Sequence, residues 1–272
     1  MAQGLYNKND ALAALPGYDF ARGGNIVGAD YRWNRHLRTG LFVGGQEGDG
    51  DYPGRSSLRM SEVNFGLYAS YDAGNGFYAS AIGLANRDHY TAHRGIDFGA
   101  LHRVARSRFD STGAAAYLET GYDFKAGNFR FGPVLDVQYS YLGIDPLTET
   151  SAGSLNLQLR RQDLDSLQTN LGARAAYLWN LGNGVQLVPE IRAFWNREHL
   201  NNADRLAASL NGGAGAGFTY ALPEAPPDSF LTGAGVSARF GAHWDASIYY
   251  NASITAPSSS TQSVSLSLSY GF

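Results

Sequence analysis

The sequence contains no cysteine, two methionines and no long run of apolar residues. The lack of cysteine excludes a disulfide framework and thiolate metal sites. A transmembrane helix needs roughly 20 consecutive apolar residues, so the sequence also excludes a helical membrane protein. Charged residues are scarce, at 17% of 272 positions, where soluble proteins have about a quarter. The net charge of −3 gives no reason to expect a nucleic-acid partner.

Glycine and aromatic residues are abundant instead, with 34 glycines, 17 tyrosines and 14 phenylalanines. The mean hydropathy of −0.27 would by itself suggest a soluble protein. In a transmembrane β-barrel, however, polar residues that face the lumen alternate with apolar residues that face lipid, and the two average out. The composition therefore leaves two classes open, a soluble β-sandwich or barrel and a membrane barrel.

Apolar and polar residues alternate with a period of two along much of the chain, which indicates β-strands. The clearest run is the last, where Val264, Leu266, Leu268 and Tyr270 alternate with serines. Similar runs occur earlier, around residues 62–71, 129–141, 167–179 and 244–254. Several exceed the common strand length of about 5–6 residues. They match the roughly 9–11 residues that a tilted membrane strand needs, which favours the membrane barrel.

Short and long connections alternate strictly along the chain. Tight turns are predicted at residues 33–36, 73–76, 125–128, 181–184 and 241–243, and longer loops at 47–57, 91–107, 147–162, 201–228 and 256–261. Outer-membrane barrels have this asymmetry, with short periplasmic turns and long extracellular loops. We therefore predict an all-β fold, a transmembrane antiparallel up-and-down β-barrel whose C-terminal strand ends in the periplasm.

Counting back from that strand gives eleven strands between residues 24 and 272. Bacterial barrels of one chain have an even number, so residues 3–15 are predicted to supply the twelfth strand, with a loop at 16–23. This segment alternates poorly, and a short helix over residues 11–15 capped by Asp10 is the alternative. Residues 1–23 are thus a first strand or linker with its loop, and residues 24–272 are the rest of one barrel domain. Residues 214–222 are strand-like and are assigned to an extended extracellular hairpin.

Several short segments follow one another in an order that is typical of one family of barrels: Val27-Gly-Ala-Asp-Tyr31, Leu37-Arg-Thr-Gly-Leu-Phe-Val-Gly44, Gly66-Leu-Tyr-Ala-Ser-Tyr71, Leu118-Glu-Thr-Gly-Tyr-Asp-Phe124, Phe131-Gly-Pro133, Leu171-Gly-Ala-Arg174, Leu187-Val-Pro-Glu190 with Trp195, and Val264–Phe272. Through these segments the chain resembles, over about residues 22–272, the translocator barrels of autotransporters, the proteins of type V secretion. Residues 3–15 match the family's marked first strand poorly, and its pore-spanning linker helix is missing from the sequence.

The resemblance implies a monomeric anchor in the bacterial outer membrane without cofactor or enzymatic activity. It would help a covalently linked N-terminal passenger to cross the membrane, and the cell's barrel-assembly machinery would insert it. No signal peptide precedes the first strand, and an outer-membrane protein must be exported. We therefore expect the chain to belong to a longer precursor.

The C-terminal aromatics are the most specific candidate site. Tyr270 and Phe272 fit the signal by which assembly machinery recognises the final strand, since strand addition at an edge uses alternate side chains for specificity. The alternative is an ordinary ring of aromatic residues at the membrane interface.

Charged residues are predicted to line the pore where alternation turns them inward. They would hydrate a channel or form stabilising ion pairs, and both roles can coexist. The predicted pore-lining residues are Arg32, Arg38, Glu62, Glu119, Asp136, Arg174, Glu190, Arg192 and Arg239.

Outside the pore, the basic segment 91–108 could contact lipopolysaccharide phosphates, although a solvated loop is the simpler interpretation. Asp49 and Asp51 lack the distal glutamate of a calcium loop, and the glycines at 212–217 lack the strand–turn–helix setting of a nucleotide loop. Hydrolase motifs are absent, and His89, His199 and Asp204 have no evident nucleophile partner, although such a site would assemble from distant strands. A free-standing porin or adhesin-like barrel and a barrel hydrolase are the alternative functions.

Overall fold

The computed structural model describes residues 2–9, 18–200, 205–210, 214–221, 227–255 and 259–271, and for residues 2–9 it describes only the backbone. Twelve long strands follow one another. They are β1 (Ala2–Asn9), β2 (Tyr18–Arg32), β3 (Leu37–Tyr52), β4 (Ser56–Asp72), β5 (Phe77–Phe98), β6 (Leu101–Tyr122), β7 (Phe129–Ile144), β8 (Gln162–Tyr177), β9 (Val185–Glu198), β10 (Asp228–Phe240), β11 (Trp244–Thr255) and β12 (Ser259–Tyr270).

Each long strand pairs antiparallel with its neighbours in the chain. The last strand returns to the first, with Leu266 opposite Ala2 and Ser259 opposite Asn9. The sheet is therefore closed, so it leaves no unpaired edge among these twelve strands. The predicted twelfth strand is present over Ala2–Asn9. The alternative helix at 11–15 falls outside the described residues.

The polarity of the two faces of this sheet is the reverse of that in a soluble barrel, with apolar side chains outside and polar side chains inside. Large apolar side chains such as Val27, Leu41, Val63, Leu171 and Ile191 are exposed on the outer face. Buried side chains of the inner face are largely polar and include Asn64, Asp88, Ser111, Asn170 and Asn196. A lipid-facing exterior and a polar interior explain this distribution. In the part of the chain that the structure describes, no helix has the length and apolarity needed to cross a membrane.

The five tight turns predicted from the sequence lie at one end of the barrel. At 183–184, Asn183 (φ 50°) and Gly184 (φ 75°) both have left-handed backbones, as a type I′ hairpin turn requires. Two long strands continue past a one-residue break into short strands, Phe124–Ala126 and Trp179–Gly182. Aromatic rings gather at this end, where Trp244 meets Tyr270 edge-on at 4.9 Å and Phe129 meets Tyr177 at 4.7 Å. They form the interfacial ring expected of an outer-membrane barrel.

Three loop predictions at the opposite end are wrong in extent. Strands β3 and β4 continue to a turn at 53–55, and β5 and β6 continue to a turn at 99–100, so most of the segments 47–57 and 91–107 forms tall hairpins. Strand β2 begins at Tyr18, inside the loop predicted at 16–23. These strand ends project beyond the lipid, where no apolar face is required and the alternation that marks a strand fades.

The longer extracellular segments build a second, small sheet. Within the predicted hairpin, Arg205–Ser209 pairs with Gly217–Ala221. The sheet continues through Gln158–Leu159 to Leu147–Thr148, and a 3₁₀ turn lies at Gly153–Leu155 between these two short strands. The strand-like segment 214–222 is therefore extracellular structure, as predicted, and does not add a thirteenth barrel strand.

Candidate functional site: the barrel lumen

The inner face of the barrel carries the predicted pore-lining charges. Strand register places all nine on the side opposite the apolar belt: Arg32 faces Arg38 across β2 and β3, Glu119 faces Asp136 across β6 and β7, and Arg174 faces Arg192 across β8 and β9. Glu62 lies on β4, Glu190 on β9 and Arg239 on β10. Their role in lining a conducting or secreting pore remains a prediction.

A belt of hydrogen-bonded polar side chains runs around the inner wall over β6 to β10. Asp136 accepts a hydrogen bond from Asn170 at 2.5 Å, and Asn170 accepts one from Asn196 at 2.8 Å. Ser229 donates to Asn196 at 3.0 Å, and Tyr117 donates to Glu119 at 2.6 Å. Strand register explains the order, since Asp136, Asn170, Asn196 and Ser229 lie directly opposite one another on successive strands.

Two arginines lie against aromatic rings in the lumen. Arg174 makes two hydrogen bonds to Asp123, of 2.8 and 3.1 Å, and its guanidinium lies 4.2 Å from the centre of the Tyr78 ring. Arg192 donates to Asn251 at 2.6 Å and approaches the Tyr249 ring at 5.7 Å. These contacts hold both cations along the wall while the guanidinium groups stay available to the interior.

Three of the other five charged residues have partners on the same face. Arg38 pairs with Asp30 at 3.7 Å, and Arg239 pairs with Asp245 at 3.0 Å. Glu62 accepts hydrogen bonds from Asn64 at 2.7 Å and Gln46 at 3.3 Å. The interior is therefore largely a network of paired charges and amides. Burial of these groups away from water would cost free energy, so the network indicates a hydrated lumen.

Inner-face glycines make room for these aromatic rings. In five cross-strand pairs a ring lies over the glycine directly opposite it, at a distance where a Cβ atom would clash. The pairs are Gly40 with Tyr68, Gly66 with Phe42, Gly121 with Tyr78, Gly172 with Phe194 and Gly235 with Tyr249. Each ring consequently lies along the wall. The sequence analysis did not predict these glycine–aromatic pairs. Their indication was that the glycines occupy the same alternate positions along each strand as the inward-facing charged residues.

The polar belt borders a recess of about 260 Å³ in the lumen wall. Glu119, Asp136, Asn170 and Arg192 line it on one side, and Asn251 and Ser263 line it on the other. The recess thus presents carboxylates, amides, a hydroxyl and a guanidinium together. These groups supply the donors and acceptors that a polypeptide backbone needs when it leaves water.

The extracellular mouth is bordered by an ordered loop. Arg94, on the inner face of β5, binds Glu149 through hydrogen bonds of 2.6 and 2.8 Å and reaches the carbonyl of Leu155 at 3.0 Å. Below the same turn, Ile96 and Ala105 pack with Ala152. At the hairpin tip, hydrogen bonds from Arg55 and His102 lower the pKa of Asp97, so that carboxylate stays charged in mildly acidic medium. Residues 145–161 are therefore fastened to the inner side of the β5–β6 hairpin.

The predicted assembly signal is described only in part. Tyr270 packs against Trp244 and stacks on His243 with ring centres 5.6 Å apart, and His243 contacts the carbonyl of Gly271 at 2.8 Å. Phe272 lies outside the described residues. Tyr270 is thus part of the interfacial aromatic ring, which is compatible with both interpretations of the signal.

The two candidate residues for hydrolysis that the structure describes, His89 and His199, form no nucleophile–base–acid triad with described residues. Ser61, His89 and Asp110 lie opposite one another on three strands, and His89 contacts Asp110 at 2.7 Å. No hydrogen bond joins Ser61 to His89, so the nucleophile–base contact of a triad is missing. His199 contacts Thr169 at 2.9 Å, and Asp204 is outside the described residues. Asp49 binds Arg59 at 3.0 Å, and the described residues contain no cluster of three metal-ligating side chains.

Comparison with known proteins decides what kind of barrel this is. The family model of the autotransporter β-domain matches residues 1–251. The chain belongs to the autotransporter β-domain family. The fold is similar to the translocator domain of the autotransporter NalP from Neisseria meningitidis, with a TM-score of 0.75, 14% identity and coverage of 100% of this chain and 87% of that one. It is also similar to the β-domain of the Bordetella autotransporter BrkA, with a TM-score of 0.70, 20% identity and coverage of 100% and 98%.

Membership in the autotransporter family settles location and general role. The chain is an outer-membrane translocator barrel, as predicted, and β-domains of this family are not themselves enzymes. The probable autotransporter YpjA of Escherichia coli is 25% identical over 184 residues, which are 68% of this chain and 11% of that protein. The chain thus spans about a tenth of the length of this relative.

Proposed function

We propose that this autotransporter barrel anchors an N-terminal passenger in the outer membrane and lets the passenger chain cross through its lumen. The polar belt from Glu119 to Ser229 carries this proposal. An extended chain in transit requires hydrogen-bonding groups along the wall, and the belt supplies them.

A display experiment tests the proposal. A signal peptide and an epitope-tagged passenger are joined before Ala2, and external protease is added to intact cells. We expect the epitope to be removed from most of the passenger. The same fusion without residues 259–272, the last strand, serves as control, because its barrel cannot close and its passenger should stay protected.

The porin alternative predicts a different result. In that case the barrel would reach the outer membrane folded, as shown by slower migration of unheated samples on gels, while the passenger remained in the periplasm. That outcome would contradict the translocator proposal, since folding and insertion would have succeeded without transport.

We also propose that Tyr270 and Phe272 form a signal for the barrel-assembly machinery. The support is the alternation of the last strand, which ends at an aromatic residue, and the outward position of Tyr270 beside Trp244. Deletion of Phe272 should slow assembly in cells, whereas spontaneous folding of the purified chain in detergent should be unaffected. Equal slowing in both settings would indicate that Phe272 serves only barrel stability.

A further inference from the structure

A group of cations lies on the outward face of the barrel at its extracellular end. We call Arg59, His93, Arg106 and Arg108 the basic patch. Arg106 on β6 lies opposite His93 on β5. Two residues further along, Thr91 on β5 lies between Arg108 on β6 and Arg59 on β4. Strands are about 4.8 Å apart and alternate residues of a strand about 6.8 Å apart, so the backbone positions of the patch lie within about 12 Å.

The patch lies just above the lipid-facing belt. On β4 the outward residues Leu67, Phe65 and Val63 are exposed and apolar, and Arg59 follows four residues further toward the extracellular end. Four residues of a tilted strand rise about 10 Å. This height corresponds to the polar headgroup layer of the outer leaflet. Arg87 lies opposite Val63, at the upper border of the belt itself.

The charges of this region are only partly balanced. Arg59 pairs with Asp49 at 3.0 Å, while Arg87 and His89 share the Asp110 carboxylate at 3.0 and 2.7 Å. The exposed side chains of Arg106 and Arg108 make no hydrogen bond or ion pair with any described residue. Two unpaired guanidinium groups two residues apart on one face repel each other, and a bound anion would relieve that repulsion.

The patch is also rigid. The backbone of Arg106 makes two hydrogen bonds to Thr150, of 3.0 and 2.8 Å, and its partner strand β5 pairs without interruption with β4 from Tyr78 to His93. The cations are therefore held in place before a ligand arrives, which reduces the entropy cost of binding. The outward face of β2 and β3 carries Asp19, Glu47, Asp49 and Asp51 instead, so the attraction of an anion ends at β4 on that side of the barrel.

We propose that the basic patch binds the phosphate groups of lipopolysaccharide in the outer leaflet. Guanidinium groups bind phosphate oxygens through paired hydrogen bonds. The patch faces outward at the headgroup layer of the extracellular side, where lipopolysaccharide is the phosphate-bearing lipid. Arg106 and Arg108 supply the unpaired donors, and Arg59 and His93 border the site.

The test measures binding of fluorescent lipopolysaccharide to the purified full chain in a neutral detergent. The variant Arg106→Gln with Arg108→Gln removes the two unpaired charges. The matched control, Lys125→Gln with Arg130→Gln, removes two charges that lie opposite each other at the periplasmic end. Slower gel migration of unheated samples confirms that each variant is folded. We expect the first variant to bind at least about tenfold more weakly and the control to bind within about twofold of the unaltered chain.

Two further ligands identify the source of the phosphate. Dephosphorylated lipopolysaccharide should bind the unaltered chain as weakly as the intact lipid binds the Arg106→Gln, Arg108→Gln variant. Phosphatidylglycerol at equal phosphate concentration should compete poorly. Unchanged affinity of that variant, full binding of the dephosphorylated lipid, or equal competition by phosphatidylglycerol would each overturn the proposal.

Discussion

At the scale of single residues, the position of a side chain in the alternation determines whether it must be apolar or polar. Leu266 and Ser265 are neighbours on β12, yet Leu266 is exposed on the outer face beside Ile248, and Ser265 lies opposite Tyr249 on the inner face. The apolar Leu266 side chain faces lipid, and the polar Ser265 side chain faces the hydrated lumen. The same substitution should therefore be harmful at Leu266 and tolerated at Ser265.

We predict that Leu266→Arg impairs insertion and Ser265→Arg does not. A cation on the lipid face near the bilayer midplane costs about 2–4 kcal/mol, whereas an added lumenal arginine remains hydrated. The measurement is the urea midpoint of barrels folded into lipid vesicles. Equal midpoints for the two variants would show that the inner and outer faces have been assigned incorrectly.

The sequence predicts the face of a residue better than its partner. Alternation alone assigns Glu119 and Asp136 to one face, but their position directly opposite each other depends on the stagger between β6 and β7. That stagger follows from the closure of the whole barrel. For the same reason the partners Asp123 of Arg174 and Asn251 of Arg192 could not be predicted.

At the scale of strands, paired glycines and aromatics shape the inner wall. A Cβ at Gly235 would lie 2.1 Å from the Tyr249 ring, whereas a Cβ at Gly83 would meet nothing within 4 Å. The two glycines lie on different faces of the sheet. Gly235 accommodates a ring on the inner wall, whereas Gly83 lies opposite the lipid-facing Leu67 and has no packing requirement.

We predict that Gly235→Ala lowers the free energy of unfolding by about 1–3 kcal/mol, because the Tyr249 ring must shift as in an overpacked core. Gly83→Ala is the matched control and should leave it unchanged or slightly raised. Denaturant unfolding in detergent measures both. If Gly235→Ala were as stable as Gly83→Ala, the ring would not need the glycine.

The extracellular loop 145–161 offers a test of a single connection. Glu149 is nearly buried and accepts hydrogen bonds from Arg94 and from the backbone of Leu157. Glu149→Ala removes all of these hydrogen bonds. We expect this to destabilise the attachment of the loop by about 1–3 kcal/mol, as for hydrogen bonds to a charged group. We expect trypsin added to intact cells to cleave faster at Arg160 and Arg161. Glu47→Ala, which removes an exposed carboxylate, should leave cleavage unchanged; faster cleavage there too would show a general loosening of the loops.

Strands inside the membrane were predictable and their extensions were not. The five tight turns and the eleven strands after residue 24 follow from alternation, because lipid and lumen impose opposite polarity on the two faces. Above the lipid that requirement ends. The β5–β6 hairpin therefore continues through His93, Arg94 and Arg103 without an apolar pattern.

At the scale of the whole molecule, closure by β1 and β12 gives a continuous wall around a polar interior. The exterior anchors the chain in the outer membrane, the tall hairpins and the small sheet border the extracellular mouth, and the five short turns of the opposite end lie in the periplasm. The central claim is that a passenger moves through this interior. Passage through the lumen predicts contact with inward side chains during secretion, and with these only.

Site-specific crosslinking during secretion tests that claim most directly. A photoreactive amino acid replaces either Asn251, on the inner face beside Arg192, or its neighbour Tyr250, on the outer face, and the passenger is stalled by a folded domain. We predict a crosslink to the passenger from position 251 and none from position 250. Absence of a crosslink at 251, or equal crosslinking at both positions, would contradict passage through this lumen.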